Sequence, residues 1–225
     1  MEKLEIIGGK KLQGSITISG SKNASLPILA ATILVDKVIL QNIPQVKDID
    51  TMVELLTSLG SRIHINKNKK KIKIYNYKTN KTVAKYKLVK TMRAGILVLG
   101  SLLSKFGKAK VSLPGGCAIG LRPVNLHIDA LKKMGVKIKI IEGYIHATAN
   151  NGLIGAKINF PIISVGATEN LLIAACKAKG RTILSNCAIE PEVKDLSNFL
   201  IKLGCKIKWI GKRKIQIDGV KSLKN

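Results

Sequence analysis

Three stretches of the chain, residues 49–65, 124–140 and 193–209, read as copies of one another. Counting back from Gly60, Gly135 and Gly204, the preceding residue is Leu59, Met134 or Leu203. Four places back stand Leu56, Leu131 and Leu200, five back Leu55, Ala130 and Phe199, and eleven back Ile49, Val124 and Val193. These offsets trace one apolar helix stripe. Glycine stops such a helix cheaply because it adopts the left-handed conformation without a Cβ penalty. Alternating hairpins are predicted next: 63–65 with 72–74, 136–140 with 144–146, and 207–209 with 215–217. Upstream of each helix lies a longer apolar helix and a short strand: 24–35 then 38–42, 91–106 then 109–113, and 167–179 then 182–186. One unit is therefore helix, strand, helix, hairpin, repeated three times at intervals of about 70 residues. The expected fold class is α/β.

A chain of 225 residues, 46% of them apolar, can bury a sizeable core. Its apolar stretches stop short of the roughly 18 to 20 residues of a membrane span. The start, with Glu2 and Glu5 in a strand-like pattern, lacks the basic and apolar order of a signal peptide, so a cytoplasmic location is expected. Cys117, Cys176, Cys187 and Cys205 have neither zinc-site spacing nor the density of a disulfide scaffold, and are expected as reduced thiols. The net charge of +26 raises nucleic acid or an anionic membrane as a partner. Neither is expected: the lysines are spread along the whole chain, and aromatic residues for base stacking make up only 4%. The densest run, 67–73, reads as a hairpin tip.

What one copy adds beyond the shared scaffold calls for another explanation. The second copy has a long glycine-rich connection, Pro114 to Pro123, where its sisters have short ones. Cys117 follows two glycines and precedes Arg122 by five residues, an electropositive setting for an exposed, reactive thiol. Cys176, Cys187 and Cys205 fall on apolar segments and read as inert and buried. Ser19 to Ala24, Lys90 to Arg93, and Ser164 to Thr168 each precede a long helix, where free N–H groups and the dipole favour an anion. Lys22 stands in the first of them. An approximate threefold axis would bring the three starts to one pocket; the alternative is ordinary Ser and Thr capping with a solvated lysine. His127 lies on the core-facing stripe and reads as structural. Glu190 and Glu192 flank Pro191 at a helix start, where carboxylates suit the dipole, and a substrate contact by Glu190 stays open.

The stretches 19–27, 90–93, 113–124 and 164–168 together resemble the enolpyruvyl transferases, in the branch acting on UDP-N-acetylglucosamine. The likeness runs from the first strand to the last residues. It implies an inside-out α/β barrel domain and transfer of the enolpyruvyl group from phosphoenolpyruvate to the 3′-hydroxyl of UDP-N-acetylglucosamine, in peptidoglycan precursor synthesis, without metal or organic cofactor. By the same resemblance, Lys22 and Arg122 hold the phosphoenolpyruvate anion with Asn23 beside them. Arg93, the run Arg122, Pro123, Val124, Asn125 and Leu126, and Ser164, Val165 and Gly166 contact the nucleotide sugar. Cys117 is the implied proton donor, the site of a covalent adduct, and the residue alkylated by fosfomycin. The shikimate-pathway branch fits less well, given Lys22-Asn23 and the Cys117 loop. Members of the family have two facing three-unit domains. Residues 1–20 resemble strands of a second domain, 21–219 the three-repeat domain, and 220–225 the start of a linker. The expected partners are the two substrates and, if the enzyme is split, a separate chain carrying the second domain. A truncated, inactive nucleotide-sugar-binding fragment is the alternative.

Overall fold

Gly60, Gly135 and Gly204 all have positive φ, 107°, 85° and 96°, and each ends a helix as the sequence predicts. The computed structural model in which they are seen describes residues 3–66, 68, 70–115 and 124–225. The three helices are α2 (Lys47–Ser58), α5 (Asn125–Lys133) and α7 (Pro191–Lys202). Each is followed by a hairpin: β2 (Arg62–Asn66) with β3 (Lys71–Tyr75), β6 (Lys137–Ile141) with β7 (Tyr144–Thr148), and β10 (Lys206–Gly211) with β11 (Lys214–Asp218). Each is preceded by a more apolar helix and a strand: α1 (Lys22–Ala31) with β1 (Lys37–Gln41), α4 (Val98–Phe106) with β5 (Lys108–Ser112), and α6 (Val165–Ala175) with β9 (Arg181–Ser185). The preceding strand always pairs antiparallel with the second strand of the hairpin. Helices fill the interior and the three sheets lie outside, each with an apolar face turned inward. This is the inside-out α/β arrangement.

The copies agree atom by atom where the chain leaves each hairpin. Asn76 N–H donates to Asp36 O at 2.8 Å, Ala149 to Gly107 at 2.7 Å, and Gly219 to Gly180 at 3.0 Å. Five residues later Lys81, Ile154 and Lys224 each donate to the residue before the stop glycine, namely Leu59, Met134 and Leu203. Each tail then runs to the next unit, so the three are joined in a cycle about a pseudo-threefold axis.

The apolar helices sit on that axis. In α6 every residue from Ala167 to Ala175 is buried, as expected of a helix surrounded by protein. Ser101 Oγ donates to Ala30 O at 2.7 Å, joining α4 to α1, and Gly100 N–H donates to Asn170 Oδ1 at 2.8 Å, joining α4 to α6. At Gly100 the fit leaves no room for a Cβ, which would collide with Asn170.

Several features differ from the sequence reading. Short strands β4 (Val83–Ala84) and β8 (Lys157–Asn159) pair parallel with β5 and β9; two or three residues are too few to show a period of two. A single turn, α3 (Tyr86–Val89), follows β4, and the second long helix begins as a 3-10 stretch, Arg93–Leu97. Residues 3–20 form no strand in this structure, and Leu4, Ile6, Ile7, Ile16 and Ile18 are exposed. Among the described residues they pair with none of the strands. The expected linker, 220–225, is packed on the domain through the Lys224 bond and through Asn225, whose side-chain oxygen accepts from Asp36 N–H and Lys37 N–H.

Candidate active site

Ser21 caps α1, its hydroxyl accepting from Ala24 N–H at 3.3 Å, and Lys22 is the first helical residue. The Lys22 ammonium lies 2.9 Å from Asp48 Oδ2 in the first turn of α2, with both side chains partly exposed. Asn23 is exposed beside it. Ser164 caps α6 in the same way, accepting from Ala167 N–H at 3.2 Å, so Val165 and Gly166 form its first turn. Thr168 donates to Ser164 O at 2.7 Å and accepts from Ala188 N–H at 3.1 Å, tying this helix start to the segment that leads into α7 through Glu190. In the second copy Arg93 is half-buried at the start of the 3-10 turn. The root of the glycine-rich connection packs there: a Cβ on Gly115 would lie 2.8 Å from Lys90 O. Rotation about the pseudo-threefold axis preserves helix direction along it, so the starts near Lys22, Arg93 and Ser164 face one end of the domain. Three helix N-termini and two basic side chains at one end favour anions.

Electrostatics single out two groups behind these starts. His127 on α5 is buried, and its Nδ1 lies 2.9 Å from Asn170 Nδ2. Because Asn170 Oδ1 takes the Gly100 N–H, its amide nitrogen faces the ring and donates, which places the imidazole proton on Nε2. Burial lowers the His127 pKa to about 4, so the ring stays neutral, against Gly166. Glu169 is buried in α6, and burial first, then Glu192 and Glu190, raises its pKa to about 8. One oxygen of Glu169 and one of Glu190 are buried without a hydrogen-bond partner. Glu169, Asn170 and Asp48 escaped the sequence reading. The run Thr168-Glu169-Asn170 inside an otherwise apolar helix was the available signal for the first two.

Of the expected site residues, Lys22, Asn23, Arg93, Ser164, Val165 and Gly166 lie at the helix starts, and Glu190 caps α7. Val124 caps α5, with Asn125 and Leu126 its first residues. Cys117, Arg122 and Pro123 lie outside the described residues. Two clefts border the first unit, one of them shared with α7 of the third. One, of about 280 Å³, runs past Ser21, Ala24, Asn42 and Asp195; the other, of about 190 Å³, lies between Pro44 and Ile72. Neither is lined by Arg93 or Ser164.

Three α/β units around a pseudo-threefold axis, helices inside and sheets outside, make the enolpyruvyl transferase fold. The backbone is similar to that of the enolpyruvyl transferase NikO from Streptomyces tendae (TM-score 0.80, 22% identity, 97% of this chain and 51% of that one). It is also similar to EPSP synthase from Acinetobacter baumannii (TM-score 0.76, 20% identity, 97% and 50%). The family profile described as EPSP synthase (3-phosphoshikimate 1-carboxyvinyltransferase) matches residues 6–225, and the chain belongs to that family. Among curated relatives, a UDP-N-acetylglucosamine 1-carboxyvinyltransferase from Pelagibacter ubique is 68% identical over 225 residues, covering all of this chain and 54% of the relative. One of the same name from Coxiella burnetii is 54% identical over 224 residues, covering 99% and 51%. The chain spans about half the length of these relatives. No helix among the described residues is long and apolar enough to cross a membrane.

Proposed function

We propose that this chain supplies the cysteine-loop half of an enzyme that moves the enolpyruvyl group from phosphoenolpyruvate to the 3′-hydroxyl of UDP-N-acetylglucosamine, in cytoplasmic synthesis of peptidoglycan precursors. The observation that carries the reading is identity of 68% and 54% over essentially the whole chain to relatives bearing that name. The geometry supports it: three helix N-termini with Lys22 and Arg93 face one end of the domain, suited to ligands rich in phosphate. In this reading Lys22, Asn23 and Arg122 hold phosphoenolpyruvate. Arg93, Arg122 to Leu126, Ser164 to Gly166 and Glu190 hold the nucleotide sugar.

Cys117 gives its thiol proton to the methylene carbon as the sugar oxygen bonds to the neighbouring carbon and the hydroxyl proton leaves to a base. The methylene carbon then loses a proton while the carbon–phosphate oxygen bond breaks, releasing phosphate and restoring the double bond. An ordinary thiol, with a pKa near ~8.5, is mostly protonated at neutral pH and can serve as the acid. The base and further phosphate ligands come from residues beyond this half, so the isolated chain binds the nucleotide sugar with little turnover.

Calorimetric titration with UDP-N-acetylglucosamine tests the reading. The chain binds it in preference to 3-phosphoshikimate, and Arg93→Ala weakens binding by about tenfold, the loss of one charge-assisted contact. Preference for 3-phosphoshikimate would move the chain to the other branch of its family. Steeply salt-dependent binding of nucleic acid, with none of UDP-sugar, would sink both.

A further inference from the structure

The first and third units match residue for residue where α1 and α6 begin. Ser25 and Thr168 each donate through the side-chain hydroxyl to the carbonyl of the cap residue, Ser21 O and Ser164 O, both at 2.7 Å. The next residue, fifth in its helix, is Leu26 in α1 and Glu169 in α6, and the two are equally buried, 6% and 5% exposed. A leucine meets the packing there, so the carboxyl of the third unit is not required by the scaffold. The neighbouring pair differs in the same sense. Lys22 and Asp48 are joined in the first unit, and their counterparts are Val165, first in α6, and Glu192, second in α7. The cation of the pair is replaced by an apolar residue, and a further carboxyl group, Glu190, stands at the cap of α7. One oxygen of Glu169 and one of Glu190 are buried with no hydrogen-bond partner among the described residues. Two carboxylates can only accept, whereas two carboxyl groups sharing one proton satisfy each other.

We propose that Glu169 keeps its proton and donates it to Glu190, and that this bond holds Glu190 in the orientation in which its other oxygen accepts from a hydroxyl group of the nucleotide sugar. The proposal rests on the reading of Glu190 as a sugar contact. Glu169 itself touches no substrate and is a positioning residue. The fold brings the two groups together: Thr168, the residue before Glu169, accepts Ala188 N–H at 3.1 Å and so fixes the segment leading to Glu190 against α6. The Glu190 side chain makes no capping bond to its own helix, which leaves it available to a partner across the contact. Of the charged and titratable groups on the elements around α6, Lys22 on α1 is paired with Asp48, Arg93 begins the 3-10 turn, and His127 on α5 is neutral. The charges that act on Glu169 are those of Glu192 and Glu190 on α7, and both favour the protonated carboxyl, as burial does. The proton is present below about pH 8 and leaves above it. Glu190 then loses its donor and gains a like charge beside it.

The test is calorimetric titration with UDP-N-acetylglucosamine from about pH 6.5 to 9. It compares the unmodified chain with Glu169→Gln, whose amide still donates to Glu190, and with Glu169→Leu, which carries the residue of the first unit and keeps the core filled. At the acid end Glu169→Gln binds as tightly as the unmodified chain, and Glu169→Leu about tenfold more weakly, the loss of one hydrogen bond to a charged group. Towards pH 9 the unmodified chain loses affinity several-fold relative to Glu169→Gln, as the proton leaves. Infrared spectra of the ligand-free chain show a protonated-carboxyl band that Glu169→Gln removes and Glu190→Ala shifts. Glu169→Leu binding as tightly as the unmodified chain, Glu169→Gln binding as weakly as Glu169→Leu, or equal pH curves for the unmodified chain and Glu169→Gln overturns the positioning role. Absence of binding by all three chains overturns the sugar reading instead, and the band then decides the pair by itself. A band that is missing, or unmoved by Glu190→Ala, overturns the shared proton.

Discussion

The Lys22 ammonium is held 2.9 Å from Asp48 Oδ2, joining the first turn of α1 to the first turn of α2. A cation proposed to bind phosphoenolpyruvate is thus already paired, and an incoming anion competes with Asp48. The pair is partly exposed, so it contributes little to folding, within about 1 kcal/mol. Asp48→Asn is expected to leave the melting temperature almost unchanged and to tighten phosphoenolpyruvate binding several-fold in calorimetry. Weaker binding would mean that Asp48 aims the ammonium and does not compete for it.

Asn170, on α6 of the third unit, satisfies two groups of the second at once, with its oxygen taking Gly100 N–H and its amide group donating to His127. Asn170→Leu strands both partners in the core, and each unsatisfied buried group costs about 1–3 kcal/mol. A loss of about 3 kcal/mol in chemical denaturation is expected. Nitrogen NMR should find His127 neutral with its proton on Nε2 from neutral pH down to about 5, since burial holds its pKa at about 4. An imidazolium at pH 6 would contradict the assignment.

The thiols separate sharply. Cys176 and Cys187 are fully buried. Burial, with Cys205 adjacent, pushes Cys176 well above the ordinary thiol range, and burial pushes Cys187 up to about 12. Thiols that stay protonated react slowly. Treatment of the folded chain with an epoxide should therefore label Cys117 first by mass spectrometry. Earlier label on Cys176, Cys187 or Cys205 would contradict the role proposed for the glycine-rich connection.

The repeat was legible because its signals are local: a stripe of period 3.6 ending at Gly60, Gly135 or Gly204, then alternation. The helix starts were legible because Ser21 and Ser164 are cap residues with a mechanism of their own. What escaped depends on contacts distant in sequence. β4 and β8 exist because β5 and β9 offer an edge, not because two or three residues prefer extension. The Lys22–Asp48 pair joins residues on two helices, and the burial of Glu169 is fixed by helices packed around α6. The alternating residues 3–20 show the converse, a strand pattern that pairs with no strand among the described residues.

Glu169 supplies the pH dependence. Its pKa in the folded chain is about 8, raised by burial and then by Glu192 and Glu190, against 4.5 unperturbed. Below pH 4.5 the folded and unfolded chains are both protonated at this group, and its neutral form costs the fold nothing. Between pH 4.5 and 8 the unfolded chain releases the proton while the folded chain retains it, so stability falls as pH rises. The slope reaches about 1.4 kcal/mol per pH unit within that window and vanishes above it. Glu169→Gln keeps the shape and removes the titration. Denaturation midpoints measured from pH 5 to 9 should fall more steeply for the unmodified chain than for Glu169→Gln, the two curves diverging up to about pH 8 and running parallel beyond. Parallel curves throughout would mean that Glu169 is ionised in the fold, held by a charge partner or by solvent and not by its own proton.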